Sequence, residues 1–414
     1  MKLPFSSLSI LLLSIFTYSQ SWQTLSIPES PARFDDVFFL NENLGWAADG
    51  WGYKVYKTIN GGDSWEFQFE TEQEYLRNIE FLNENIGFLG TLSSNFYRTT
   101  DGGSTWNLIS IPGVQAICGL DAVGESTIYG CGAYFDPAYL IKSTDSGLSW
   151  EFIDMSAYAE SLVEVMFLDE LTGFAAGGSS QGGTILKTLD GGTTWTEIYN
   201  SNRPGERVWK LQQLFSNPNV YFGAVESFGD FEGKLIKSTD AGQTWMARDV
   251  PDTDIQGVGF ITENHGWMGG HNTGFLETFD GGETWNNTEF GFSLNRFQIF
   301  GENLAYCAGK SIYKFSNMIS TNDPELTQHK DLHIEMGPNP TSDKLTISIE
   351  FPSPDHLNVT LYDESGKRLE TIIRDKITEK GKKNYQISMP SQPGIYFLEF
   401  HYNLGAQSKK IIKK

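Results

Sequence analysis

Six copies of one eight-residue stretch set the terms for everything else in this 414-residue chain. They occupy 58–65 (TINGGDSW), 99–106 (TTDGGSTW), 143–150 (STDSGLSW), 188–195 (TLDGGTTW), 238–245 (STDAGQTW) and 278–285 (TFDGGETW), so that Trp returns at 65, 106, 150, 195, 245 and 285. A period of 40 to 50 residues means units that cannot bury their apolar faces alone and must stack on their neighbours. Each copy follows a β-rich run such as Thr184-Ile185-Leu186-Lys187 and reads as turn chemistry. Glycine takes positive φ without steric cost, and an Asp side chain bonds backbone N–H groups a few residues on. The Trp then offers a large apolar surface to bury beneath the turn. The structural set is therefore Asn60 and Trp65, Asp101 and Trp106, Asp145 and Trp150, Asp190 and Trp195, Asp240 and Trp245, and Asp280 and Trp285. One acid in each loop but the last, which has two, with no alternating oxygen ligands, argues for a hairpin staple rather than a calcium site. Asn60 agrees, since it keeps the acceptor without the charge.

A second pattern precedes each of these turns. It runs VFFLNENLGWAA at 37–48, IEFLNENIGF at 79–88, VMFLDELTGFAA at 165–176 and VGFITENHGW at 258–267, with looser copies at 116–132, 211–224 and 297–308. These are two strands joined by a tight polar turn. Each unit thus reads strand, turn, strand, loop, strand, Asp turn, strand, which is the arithmetic of a propeller blade. There are seven units, but the last stops at Phe315 without an Asp turn or an outer strand. The segment Trp22–Pro28 matches the outer strand Trp106–Pro112 and is expected to complete the seventh unit, closing the ring and removing free edges. The expected fold is all-β, a seven-bladed β-propeller over residues 20–316 followed by a small antiparallel β-sandwich.

The repeated turn resembles the Asp-box, S/T-x-D-x-G-x-T/S-W, of sialidases, sortilin-type receptors, xyloglucanases and the photosystem II assembly and stability factors. That resemblance implies a β-propeller. It does not choose among activities, because enzymes and binders share the turn.

The ends of the chain carry an address. Residues 1–19, with Lys2, the apolar run Leu8–Phe16 and small residues at Thr17 and Ser19, read as a secretory signal. Residues 317–332 lose the repeat and read as a linker. Residues 333–414 are a different unit of alternating strands, with a PNP at 338–340, LYDESGKRL at 361–369, PGIYFLEF at 393–400 and a basic KKIIKK end. These residues resemble the type IX secretion C-terminal sorting domain of Bacteroidota. The resemblance implies contact with the type IX machinery and a final location outside the cell or on the outer-membrane surface.

Charge divides along the same line. Residues 333–414 hold 12 Lys and Arg against 10 Asp and Glu; with Lys2 in the leader, the remainder carries −25 of the net −22. So acidic a body is a poor partner for nucleic acid or anionic membranes. Cys118 and Cys131 flank one hairpin of the third unit, and an oxidising exterior permits a disulfide between them. Cys307 reads as a small core residue. No metal spacing and no cofactor motif is present, and a monomer is expected.

Two functional classes remain. A binder would use the long loops between second and third strands, which share a face with the inter-unit loops. Those loops are rich in aromatics: Trp51 and Tyr53, Phe96 and Tyr97, Tyr134 and Phe135, Phe228 and Phe231, with Asp136, Asp230 and His271 beside them and Arg203 close by. Flat rings next to carboxylates and guanidinium groups suit sugars or peptide segments, so the expected ligand is an extracellular protein or glycan. Arg77, Arg207 and Arg296 stand at the starts of inner strands and are expected near the axis. A glycoside hydrolase, sialidase- or xyloglucanase-like, is the alternative. It would draw on axial acids such as Asp35, Asp36 and Glu164, but the Phe-Arg-Ile-Pro motif of sialidases is missing. The favoured reading is a noncatalytic binding or scaffold protein.

Overall fold

The computed structural model describes residues 20–317 apart from Ala133 and Asp136, together with 332–351, 355–363, 368–402 and 405–414. The leader and nearly all of the linker expected from the sequence lie outside the described residues. The described chain is all-β, without a helix, and falls into two compact units, one on each side of residues 318–331.

The first unit is seven four-stranded antiparallel sheets. Six are built in sequence order from 34–70, 76–109, 119–154, 161–200, 207–250 and 255–287. The fourth is representative: Ser161–Phe167, Gly173–Ser179, Gly182–Thr188 and Thr196–Asn200. The seventh takes Arg296–Phe300, Leu304–Ala308 and Ile312–Asn317 from the end of the unit and Gln20–Thr24 from its beginning, with Trp22 opposite Phe315. The Trp22 ring lies against Trp267, Phe275, Phe297 and Phe315 at centroid distances of 4.4–5.8 Å.

Burial falls from inside to outside. The first strands Leu76–Phe81 and Ile255–Phe260 are buried throughout, whereas the fourth strand Glu66–Glu70 is mostly exposed. The first strand of each sheet lies against the first strand of the next, and that of the seventh (Arg296–Phe300) lies against that of the first (Phe34–Phe39). The apolar core sits between sheets, and its recurring unit is an aromatic pair. A second-strand ring packs face to face on the first-strand Phe of the following sheet: Trp46 on Phe81 (3.5 Å), Tyr129 on Phe167 (3.5 Å), Phe222 on Phe260 (3.8 Å) and Tyr306 on Phe39 (3.6 Å). Such pairs contribute roughly 0.5–1.5 kcal/mol beyond the area they bury. The Gly that opens the second strand has a packing reason. A Cβ on Gly45, Gly87, Gly173 or Gly266 would stand 2.3–2.5 Å from the ring of Phe39, Phe81, Phe167 or Phe260.

A basic latch joins neighbouring sheets. The residue before the Thr or Ser of each Asp turn is Lys57, Arg98, Lys142, Lys187 and Lys237 in sheets one to five, and Lys314 holds the matching place in the seventh. Lys57, Arg98, Lys142, Lys187 and Lys314 donate to a carbonyl in the Asp turn of the next sheet, on Gly102, Ser146, Gly191, Ala241 and Gly61 respectively, at 2.8–3.1 Å. Lys237 reaches Glu263 O of the sixth sheet at 3.0 Å. All five Lys also sit over a second-strand ring, 5.2–5.6 Å from its centroid. The sixth sheet has Glu277 in this place. Its successor, the seventh, has no Asp turn to receive a cation, and Glu277 instead accepts from Trp267 Nε1 at 2.9 Å beside His265.

The second unit has two antiparallel sheets. His333–Gly337, Lys344–Phe351 and Gly381–Ser388 form one; Arg368–Ile377, Asp355–Asp363, Gly394–Tyr402 and Gly405–Lys413 form the other. Leu345, Ile347 and Ile349 of the first share an apolar core with Leu357, Val359, Leu361, Leu398, Phe400 and Ile411 of the second. The alternating burial of Lys344–Phe351 is the period-two pattern of a half-buried strand.

The disulfide that the sequence permits is not formed: Cys118 and Cys131 are buried free thiols. Cys131 stands opposite Gly119 in the ladder, so Cys118, one residue earlier, projects from the other face of the pleat. The two thiols accordingly belong to different apolar clusters, Cys131 with Leu162 and Cys118 with Val163 and Trp209. Cys307 is fully buried, as expected.

Candidate ligand-binding face

Each sheet presents its short first turn, and each of the first six its Asp turn as well, at one end, and its second-to-third loop and inter-sheet loops at the other. At the first end the turn is closed by hydrogen bonds. In the fourth sheet Thr188 Oγ1 donates to Asp190 Oδ1 (2.8 Å) and accepts from Gly192 N (2.9 Å), while the N–H and hydroxyl of Thr194 donate to the two carboxylate oxygens at 2.9 and 2.7 Å. Trp195 Nε1 then donates to Gly192 O at 3.1 Å. Gly191 and Gly192 hold φ of 69° and 90°, the region open to Gly. Side-chain and then backbone donors hold Asp145, Asp190, Asp240 and Asp280 down at about 2, and Asp101 is lowered for the same reason. In the first sheet Asn60 accepts from Ser64 N (3.0 Å) and donates to Ser64 Oγ (2.9 Å), so the amide replaces both carboxylate contacts. Trp65 Nε1 and Trp285 Nε1 make no hydrogen bond, unlike those of Trp106, Trp150 and Trp245.

The opposite end carries exposed rings. Trp51 is 54 % exposed, with Tyr75 edge-on at 5.2 Å and Tyr53 at 6.4 Å, and Tyr53 itself holds a positive φ of 59°. Tyr134 and Phe135 form an exposed pair at 5.0 Å, and Phe228 and Phe231 another at 6.2 Å. The Arg203 guanidinium lies over Phe231 at 4.1 Å. Asp230 is exposed beside them, and Asp136 lies outside the described residues. One expected ring is misplaced: Phe96 is fully buried against Phe88 and Trp150, because it occupies the first inward position of its strand. Tyr97 is half-buried and donates to Glu74 at 2.6 Å.

The three arginines expected near the axis do not form an open clamp. Arg77 is buried, 3.2 Å from Asp35 and stacked on Trp209 at 5.3 Å. Arg296 is committed to Glu164 (3.2 Å) and Asp36 (3.7 Å). The stem of Arg207 runs beside Gly178, and its Nε is buried without a hydrogen-bond partner. Polar side chains of the first strands also cap the neighbouring sheet: Asp36 accepts from Ile79 N, Asp121 from Phe167 N, and Gln212 and Gln298 bridge the backbone of Phe260 and Phe39. Glu164, bound to Lys210 at 2.7 Å, lines an axial cavity of about 410 Å³ with Asp121, Arg296 and Gln298. Burial, and then the Glu164 charge, push Asp121 up to about 7, and burial with Asp121 raises Glu80 well above the carboxylate range.

Where the axis meets the face of exposed rings, seven side chains make a continuous run of contacts that the sequence alone does not show. Arg33 Nε contacts Asp35 at 2.6 Å, and Arg33 Nη1 meets His271 Nε2 at 2.5 Å. His271 Nδ1 meets Asp254 at 2.6 Å. On the other side of Asp35, Arg77 is stacked on Trp209, whose Nε1 donates to Glu226. Gln256 accepts from Arg33 at 3.0 Å. Among the described residues no three His, Cys, Asp or Glu side chains gather as metal ligands.

Sheets radiating from a common inner layer are the architecture of β-propellers, and comparison with known proteins gives that class, joined here to a secretion module. Residues 336–414 match the secretion system C-terminal sorting domain, which directs the chain through type IX secretion to the cell surface or the extracellular space. Over 283 residues, 56% of this chain and 81% of the relative, the sequence is 24% identical to the photosystem II assembly lipoprotein Ycf48 of a Synechococcus strain. The structure is similar to YCF48 bound to a D1 peptide, with a TM-score of 0.56 and 18% identity over 72% of this chain and 97% of that one. It is also similar to the GH74 enzyme of Niastella koreensis, with a TM-score of 0.54 and 13% identity over 94% of this chain and 67% of that one.

Proposed function

We propose that this chain is an exported, noncatalytic binding scaffold. Its first unit is a closed seven-bladed propeller with Asp-box turns, its second a two-sheet sandwich, and the face of long loops takes an extracellular protein or glycan. The observation that carries this reading is the set of rings at that face, Trp51, Tyr134, Phe135, Phe228 and Phe231, each between 39 and 54 % exposed. Aromatics left that open and gathered at one end of a rigid framework are the usual anchors of a binding surface. A propeller of the same fold holds a peptide, which favours extended protein segments among the ligands.

The second reading, a glycoside hydrolase, is favoured by the Glu226–Asp254 carboxyl pair near the same face and by the GH74 neighbour. Engagement of the acids counts against it. Glu226 accepts from Trp209 Nε1, and Asp254 pairs with His271 at 2.6 Å. Asp35 and Glu164 are each bound by two cations.

The test is a panel of extracellular peptides and glycans, read for both binding and turnover. Trp51→Ala, Tyr134→Ala and Phe228→Ala should each weaken the best binder about tenfold, roughly 1.4 kcal/mol, with the melting temperature unchanged. Turnover of any glycoside by the parent chain would replace the scaffold reading, and undiminished binding by all three variants would move the site elsewhere.

A further inference from the structure

The most exposed apolar side chains lie at the Asp-turn end, opposite the face of exposed rings. Among the described residues, the large apolar side chains at least 60 % exposed are Ile59, Leu148, Leu171, Leu189, Phe215 and Phe279. Ile59, Leu148, Leu189 and Phe279 stand in Asp turns, and Leu171 and Phe215 in first turns. A lone exposed apolar residue is ordinary, but six at one end of a framework mark a surface that meets another molecule.

The axial cavity of about 410 Å³ opens among them. Its wall is the later part of the first strands, and Leu168 and Phe215 of the first turns form its rim. Phe215 also reaches the first turn of the seventh sheet, where a Cβ on Gly301 would stand 3.9 Å from its ring. Towards the other face the axis is shut. Trp209 of the fifth sheet packs with Cys118 and Val163 and lies against Arg77 of the second, and all four are buried. Side chains from sheets so far apart can meet only on the axis. Next to them Glu164 of the fourth sheet binds Lys210 of the fifth at 2.7 Å and Arg296 of the seventh at 3.2 Å, and this trio is the floor of a blind pocket.

The pocket is short of positive charge. Lys210 and Arg296 are the cations on its wall, and they already answer two carboxylates, Glu164 and Asp36. Asp121, also on the wall, accepts from Phe167 N but has no ion-pair partner among the described residues. Glu80, buried on the neighbouring first strand, has none either. A carboxylate taken out of water needs an opposite charge. Beside Asp121 the wall is apolar, with Met166, Leu168, Leu211 and Phe215. An aliphatic stem ending in a cation fits both halves, and Lys and Arg side chains have that form.

We propose that the Asp-turn end is a docking surface for a protein partner, one of whose Lys or Arg side chains enters the axial pocket beside Asp121 while its apolar neighbours rest on the exposed turn residues. The occupant is a protein rather than a free amine, because a small amine would leave the six apolar side chains uncovered. This surface is separate from the face of exposed rings, and its test does not depend on what binds there.

The immobilised full chain is offered peptide libraries that are random except for a central lysine, arginine or acetyllysine. The lysine and arginine libraries should be retained about tenfold better than the acetyllysine one, with apolar residues enriched beside the cation. Asp121→Asn keeps an acceptor for Phe167 N and should abolish that preference. Phe215→Ser alters a largely exposed side chain, leaves the core alone, and should weaken retention of the lysine library. Retention without a preference for charge overturns the pocket. So does a preference that survives Asp121→Asn, which would then be the general attraction of an acidic body for cations. Unchanged retention by Phe215→Ser overturns the apolar part of the surface. Binding of n-butylammonium as tight as that of the best peptide would give the pocket to free amines and overturn the docking of a protein.

Discussion

The Asp turn shows how one side chain can organise a hairpin end without being buried. Asp190 collects the N–H and hydroxyl of Thr194 and the hydroxyl of Thr188, and Gly191 and Gly192 supply the backbone angles. This was legible in the sequence because donors, acceptor and glycines lie within eight residues. Asn60 shows what the charge adds, since the amide keeps both contacts with Ser64. Asp190→Asn is therefore expected to leave the melting temperature at pH 7 within a degree or two of the parent, whereas Asp190→Ala lowers it by a few degrees. The acid limb separates the variants further. A carboxylate held at about 2 contributes stability that is present above its unfolded value of ~3.9 and is lost as pH falls towards 2. The parent should lose stability steadily between pH 4 and 2, and Asp190→Asn should lose less across that interval; parallel acid melts would contradict this.

Between elements, the basic latch matters most, and it went unread although it was in plain view. Lys or Arg precedes the Asp turn in five sheets, yet on a β-strand a lone Lys reads as a solvated face. Only the neighbouring sheet shows that it reaches a carbonyl and covers a ring. The state of Cys118 and Cys131 stayed open in the sequence for a related reason: spacing along a hairpin was legible, the side of the pleat was not. The latch predicts a coupling at the seam between the seventh and first sheets, where Gly61 O accepts from both Lys314 Nζ (2.9 Å) and Tyr306 Oη (3.1 Å). Lys314→Met or Tyr306→Phe alone leaves one donor and should cost about 1 kcal/mol in denaturant unfolding. The double variant strands a buried carbonyl and should cost more than the sum. Strict additivity would mean that the two donors do not share the site.

At the scale of the whole molecule, the repeat and the sorting module were legible because each is a contiguous pattern. The run of contacts at the axis was not. Its members at 33, 35, 77, 209, 226, 254 and 271 come from four sheets and share no spacing, so only the fold brings them together. The sorting module makes its own prediction. A reporter fused to residues 333–414 behind a secretory signal should reach the medium or surface of a type IX-competent host, and should stay in the periplasm when that machinery is disabled. Periplasmic retention in the competent host would contradict it.

The pairing of Gln20–Thr24 with Ile312–Asn317 also fixes when the molecule can become whole. The first of the described strands is one of the last to find its partner, some 290 residues later, and such distant pairings form slowly. Until then Trp22 and the strand edge at Phe315 wait uncovered, the state in which a chain is most open to capture by other chains or by proteases. Any product cut short before residue 312 leaves Gln20–Thr24 without its partner for good. The fold therefore reports on the length of its own chain, and an incomplete copy announces itself as an unfinished sheet.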